Sequence, residues 1–259
     1  MSRAIIYLLG IVIAEITAVA LPSVNPAFAS IGITLYGILL VAMIIDAARM
    51  DHYYQGRLVL SLTLVPLIRI FSLMLPLTQI PQMWWYPLIY LPLLTAAVVV
   101  AYILEYKPSD IGATLRGWPW QIPLAFLGLG LGYIEYSILS PQPLVNGLTW
   151  SDAWLPALLI FVSTGVVEEL IFRGVLQKST VDLFGTRGII YVSIIFAVLH
   201  IGWTTGPDAT SLAWLDLPFV FGVALLFGWI VKKTGSLLGV SLCHGVINIV
   251  FFIVAPATI

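Results

Sequence analysis

The stretch WLPALLIFVSTGVVEELIFRGVL, residues 154–176, decides how this chain folds. Its length matches the roughly 20 apolar residues that a helix needs to cross a hydrocarbon core. Yet Glu168, Glu169 and Arg173 sit inside it. Insertion scales charge about 2.5–3.5 kcal/mol for an ionised side chain at the centre of such a helix. A sequence that keeps three of them together either ties helices to one another or uses them for chemistry.

The rest of the chain has the same character. Of its 259 residues, 61% are hydrophobic and only 9% charged, with a mean hydropathy of +1.07. A soluble domain carries roughly 25% charged residues, so this composition describes an integral membrane protein. Nine apolar segments follow one another, at about 4–21, 27–46, 58–77, 84–104, 122–139, 154–176, 189–202, 215–231 and 237–255. The seventh and eighth are short for a crossing. Because lipid offers the backbone no hydrogen-bond partners, the expected fold is all-α, a polytopic membrane bundle of about eight to nine transmembrane helices. Residues 1–149 read as N-terminal spans of unassigned role, and residues 150–259 as the part that carries chemistry. A net charge of -1 gives no reason to expect nucleic acid as a partner. The single cysteine, Cys243, rules out an intrachain disulfide and a CxxC metal site.

Lysines and arginines alternate between connections. Arg3 precedes the first span; Arg49 and Arg57 flank the second connection, and Lys107 and Arg116 the fourth. Lys178 and Arg187 lie in the sixth, and Lys232 and Lys233 in the eighth, while the odd-numbered connections hold none. The positive-inside rule then places the N-terminus in the cytoplasm and the C-terminus outside. Arg3, an apolar run and Ala18-Val19-Ala20 resemble a cleavable leader. Glu15 interrupts that run, and the first span is expected to be retained.

Six charged residues remain at membrane depth: Glu15, Arg69, Glu135, Glu168, Glu169 and Arg173. Arg69 is expected to pair with Glu15 or Glu135 between helices, since buried charges in bundles usually pair with one another. The alternative, a transport pathway, would call for inverted repeats with broken helices, and no repeat is present. Glu169 and Arg173, four residues apart, share a helical face. Glu168 points about 100° away from Glu169 and uses that arginine less directly. Glu168, desolvated and without its own cation, becomes the candidate general base. On these residues alone, a structural ion-pair cluster explains the run equally well.

The histidines shift that balance. His52 lies in the loop DHYYQGR and is expected to be merely solvated. His200 follows Phe196 by four residues, and His244 precedes Asn248 by four, so each pair shares a helical face. At 1.5 Å per residue, Glu168, His200 and His244 lie about 15, 18 and 12–17 Å from the flanks carrying Lys178, Arg187 and Lys233. All three reach one level, in a cavity expected to open to the cytoplasmic side.

Glu168-Glu169-Leu-Ile-Phe-Arg173, Phe196-Ala-Val-Leu-His200 and His244-Gly-Val-Ile-Asn248 resemble, intact and in order, the EExxxR, FxxxH and HxxxN motifs of the CPBP family. These are the CAAX proteases and bacteriocin-processing enzymes, also called type II CAAX prenyl endopeptidases or the ABI family. The resemblance covers roughly residues 150 to 255. It implies an intramembrane endopeptidase acting on a membrane-associated substrate, such as a prenylated CAAX protein or peptide. In that family's pattern Glu168, helped by His200, activates a water, and His244 and Asn248 stabilise the oxyanion. Glu169 and Arg173 orient the others. No cofactor is expected. Zinc accepts Glu and His ligands, but HExxH is absent and Asn248 suits an oxyanion better than a metal, so a metal-independent route is favoured. Cys243, about 100° round the helix from His244, reads as a small core residue rather than a nucleophile. The competing reading is a non-catalytic protein of the same fold, acting in bacteriocin self-immunity or as a complex subunit.

Overall fold

The computed structural model describes residues 2–50, 53–145, 147–205 and 211–258; His52 lies outside them. No strand occurs among the described residues. Nine helices there are long and apolar enough to cross a membrane. We label them α1 (Arg3–Ser23), α2 (Ala27–Arg49), α3 (Tyr53–Met74), α4 (Gln82–Ile103), α5 (Trp118–Leu139), α6 (Trp150–Phe184), α7 (Arg187–Thr205), α8 (Ala213–Thr234) and α9 (Leu238–Thr258).

The two segments that looked short extend at both ends into full spans. α6 outruns its apolar segment because the polar run from Gln177 to Phe184 stays helical. There Lys178 and Asp182, one turn apart, pair at 2.6 Å. The outside of the bundle is apolar: Ile6, Leu91 and Phe126 are among many large side chains left exposed. In water such a surface would aggregate, whereas in lipid it meets like. Exposed tryptophans stand near the helix ends, Trp118 and Trp120 on α5 and Trp150 and Trp214 on α6 and α8. That is where amphipathic rings sit at the membrane–water boundary. The protein is a multi-pass integral membrane protein.

α9 is the central helix, and small residues bring its neighbours against it. A side chain at Gly128 of α5 would meet the Cys243 carbonyl oxygen at 2.5 Å, so this close approach requires glycine. Cys243 itself is buried in that contact, within a cluster that includes Phe227, Val240 and Ile247. Gly165 does the same for α6: a Cβ there would lie 2.7 Å from the Ser241 carbonyl oxygen and 2.9 Å from Gly245 Cα. Glu168 and Glu169 stand one turn beyond this crossing on α6, and His244 stands next to Gly245 within it on α9. Gly165→Ala is therefore expected to destabilise the protein by about 1–3 kcal/mol through overpacking. Thermal unfolding in detergent should show the loss, and an unchanged midpoint would contradict the crossing.

α6 departs from ideal geometry where the charges lie. Its backbone is wound with i→i+5, π-type turns over Phe161–Glu168 and Leu170–Leu176. Such winding is frequent at functional sites. It alters the angular reading of the EExxxR run, as the side chains show.

Candidate active site

The two adjacent glutamates have separate surroundings. Glu168 faces a cavity that is also lined by Glu135, Arg173, His200, His244 and Asn248. Glu169 is fully buried behind that wall. Its Oε1 lies 3.3 Å from Arg173 Nη1 and 2.8 Å from His244 Nδ1. The expected Glu169–Arg173 pair is thus present, with His244 as a second partner. Arg173, which the sequence assigns to Glu169, also lines the cavity beside Glu168. The π-type winding accounts for this, because residues five apart then face the same way.

His244 links the two carboxylates. A carboxylate oxygen accepts, so Nδ1 of His244 carries the proton that Glu169 receives. Its other nitrogen, Nε2, stands 3.9 Å from Glu168 Oε2 across the cavity. The remaining oxygen of Glu168, Oε1, accepts a hydrogen bond from the hydroxyl of Tyr90 on α4. Each oxygen of Glu168 therefore has its own direction, one held by the tyrosine and one turned towards His244.

His200 is set by the motif it belongs to. Its Nδ1 lies 2.8 Å from the Phe196 carbonyl oxygen. A carbonyl can only accept, so Nδ1 carries the hydrogen and Nε2 is left as the free acceptor nitrogen. The Phe196 ring also matters. Arg173 sits over it at 4.3 Å, a cation–π contact, while the His200 ring packs 4.8 Å away. FxxxH thus joins the arginine of one motif to the histidine of the next.

Asn248, one turn beyond His244 on α9, completes the polar lining. The six residues singled out from the sequence form one continuous site. Glu168, Arg173, His200, His244 and Asn248 line the cavity, and Glu169 stands behind His244.

Three further polar residues near the site were missed or left unplaced by sequence reasoning. Tyr90 gave no signal, because a tyrosine in WWYPLIYLPLL looks like any membrane-interface aromatic. Glu135 was considered as a partner for Arg69, but Arg69 pairs with Glu15, and Glu135 lines the cavity instead. Asp216 is fully buried at the start of α8, and both its carboxylate oxygens lack a hydrogen-bond partner among the described residues. Its signal was its place at the edge of an apolar segment.

Among the described residues, no three His, Cys, Asp or Glu side chains converge as ligands. His244 and His200 each give the Nδ1 hydrogen to an acceptor, Glu169 or the Phe196 carbonyl, and keep Nε2 for the cavity. No step is therefore routed through zinc.

Residues 150–250 match a family model described as Rce1-like, type II CAAX prenyl endopeptidase. Neither the curated proteins nor the solved structures contain a match. The matched stretch begins at the first residue of α6 and ends two residues after Asn248, so it encloses all three motifs and their cavity. Residues 150–250 are thus similar to the Rce1-like family of type II CAAX prenyl endopeptidases, in line with the resemblance carried by the three motifs.

Proposed function

We propose that this protein is an intramembrane endopeptidase that hydrolyses a peptide bond of a lipid-anchored CAAX-type substrate with a glutamate-activated water. The observation that carries the reading is the division of labour between adjacent carboxylates. Glu168 faces a polar cavity within the membrane, and Glu169, buried behind it, is spent on Arg173 and His244.

The reaction follows from what each group can accept or donate. A water between Glu168 Oε2 and His200 Nε2 gives a hydrogen bond to each, and its lone pair is left free for the scissile carbonyl. As the new C–O bond forms, Glu168 takes the proton. The carbonyl oxygen becomes an oxyanion, for which Asn248 supplies an amide donor. His244 contributes in its protonated form, because its Nδ1 hydrogen is already given to Glu169 and only a proton on Nε2 can reach the oxyanion. Glu169 stabilises that imidazolium from behind. Glu168 then passes its proton to the leaving amine as the C–N bond breaks.

The Lys and Arg distribution supports an N-terminus in the cytoplasm, a C-terminus outside and a cavity reached from the cytoplasmic side. That is the side on which a lipidated C-terminal C-a-a-X sequence would be presented.

The full chain, purified and returned to liposomes, is expected to convert a farnesylated peptide ending in C-a-a-X to a shorter lipidated product, read by mass spectrometry. The activity should survive chelation of metal-stripped protein. Intact peptide with the wild-type protein would remove the substrate assignment. Loss on chelation with recovery on adding zinc would overturn the metal-independent route.

A further inference from the structure

His200 lies on a break in its helix. The regular turns of α7 stop at Val198 and resume at Ile201. In an unbroken helix the Trp203 N–H would donate to the Leu199 carbonyl; here it donates to the His200 carbonyl at 3.0 Å. The Leu199 carbonyl is thereby orphaned, and inside a bilayer no water takes over. Arg69 of α3 supplies the missing donor: its Nη2 donates to the Leu199 carbonyl and also to Glu15 Oε1.

The guanidinium is itself held. Nε of Arg69 donates to Glu15 Oε2 at 2.8 Å, and the Tyr36 hydroxyl donates to the same oxygen at 2.6 Å. Glu15 and Tyr36 are fully buried. A simple interhelical ion pair would end at Glu15. This one continues through the guanidinium to the peptide group that precedes His200.

We propose that Arg69, fixed by Glu15 and Tyr36, is a positioning residue for His200: it holds open the break in α7 that presents the imidazole to the cavity. The Phe196 carbonyl fixes the ring on one side of the break, and Arg69 fixes the backbone on the other. The inference rests on the reading of His200 as a catalytic residue. It gives the N-terminal half of the chain, outside the family match, a part in the reaction.

The test is to measure kcat and KM on the farnesylated C-a-a-X peptide, together with thermal unfolding, for two variants of the full chain. Glu15→Leu/Arg69→Met removes both charges, so no buried charge is left alone, and the stability cost is limited to the unpartnered Leu199 carbonyl and Tyr36 hydroxyl. Its kcat should fall about 10²-fold, the cost of a small misplacement of a catalytic group, with KM within about twofold of wild type. Arg69→Lys keeps Glu15 paired, but one ammonium cannot reproduce the planar fork that spans Glu15 and the Leu199 carbonyl. It should lower kcat about tenfold at an unchanged unfolding midpoint. Wild-type kcat in the double variant would show that the pair only ties helices together and would overturn the proposal. So would a loss confined to KM. If the double variant does not fold, Arg69→Lys decides on the same kcat criterion. Full activity in His200→Ala would instead remove the catalytic reading of that histidine, a result neither Arg69 variant can produce.

Discussion

Glu168→Gln is expected to reduce peptide cleavage by about 10²–10⁴-fold, the usual contribution of a positioned general base, while the protein folds normally. At 1.36 kcal/mol per tenfold, that is a barrier higher by about 3–5 kcal/mol. Normal folding follows from the contacts. Glutamine has the same shape, its amide oxygen can still accept from the Tyr90 hydroxyl, and the side chain faces a cavity rather than a packed core. Only the capacity to take a proton from water is lost. The measurement pairs single-turnover cleavage of the farnesylated peptide with a thermal unfolding curve. Equal cleavage by variant and wild type would remove Glu168 as the base. Lost cleavage with a collapsed unfolding midpoint would assign it a structural role instead.

How much of this was legible beforehand differs by residue. The bundle was, because nine apolar segments with basic residues at every second connection permit little else in a bilayer. The Glu169–Arg173 pair was also legible, since a four-residue spacing survives small changes of helical winding. The wider π-type winding was not. Nothing in FVSTGVVEELIFRGVL announces it, and it is what lets Arg173 line the cavity with Glu168 while pairing with Glu169. Periodic reasoning assumes one winding throughout and fails where function bends the helix.

Contacts between distant segments were harder still. The sequence marks Arg69 and Glu15 as costly charges that want partners, and they are partners. That Arg69 also takes a carbonyl beside His200 depends on a break in another helix, and the order FxxxH says nothing about where α7 is interrupted. Tyr90 and Glu135 make the same point from opposite sides. One looked too ordinary to notice. The other was noticed as one of two candidate partners for Arg69, because charge alone cannot say which of two carboxylates an arginine will meet.

Glu169→Gln should produce the opposite phenotype from its neighbour: loss of the fold first, and of activity with it. Glu169 is fully buried and Arg173 nearly so. Glutamine takes away the nearer counter-charge of the Arg173 guanidinium, at 3.3 Å, and breaking a buried pair in this way costs about 3–5 kcal/mol. It also removes the anion that receives the His244 Nδ1 hydrogen at 2.8 Å. Any protein that still folds would therefore lack support for the protonated His244 that the oxyanion requires. Glu169→Gln/Arg173→Met separates the two effects. Removing both charges should restore most of the unfolding midpoint, since a buried pair can often be replaced by apolar groups without loss. Cleavage should stay low, because His244 still lacks its anion. A double variant that recovers both stability and cleavage would show that Glu169 serves Arg173 alone. A single Glu169→Gln variant with a wild-type midpoint would show that the pair contributes nothing to the fold. Either result would undo the distinction between a glutamate that reacts and the glutamate behind it.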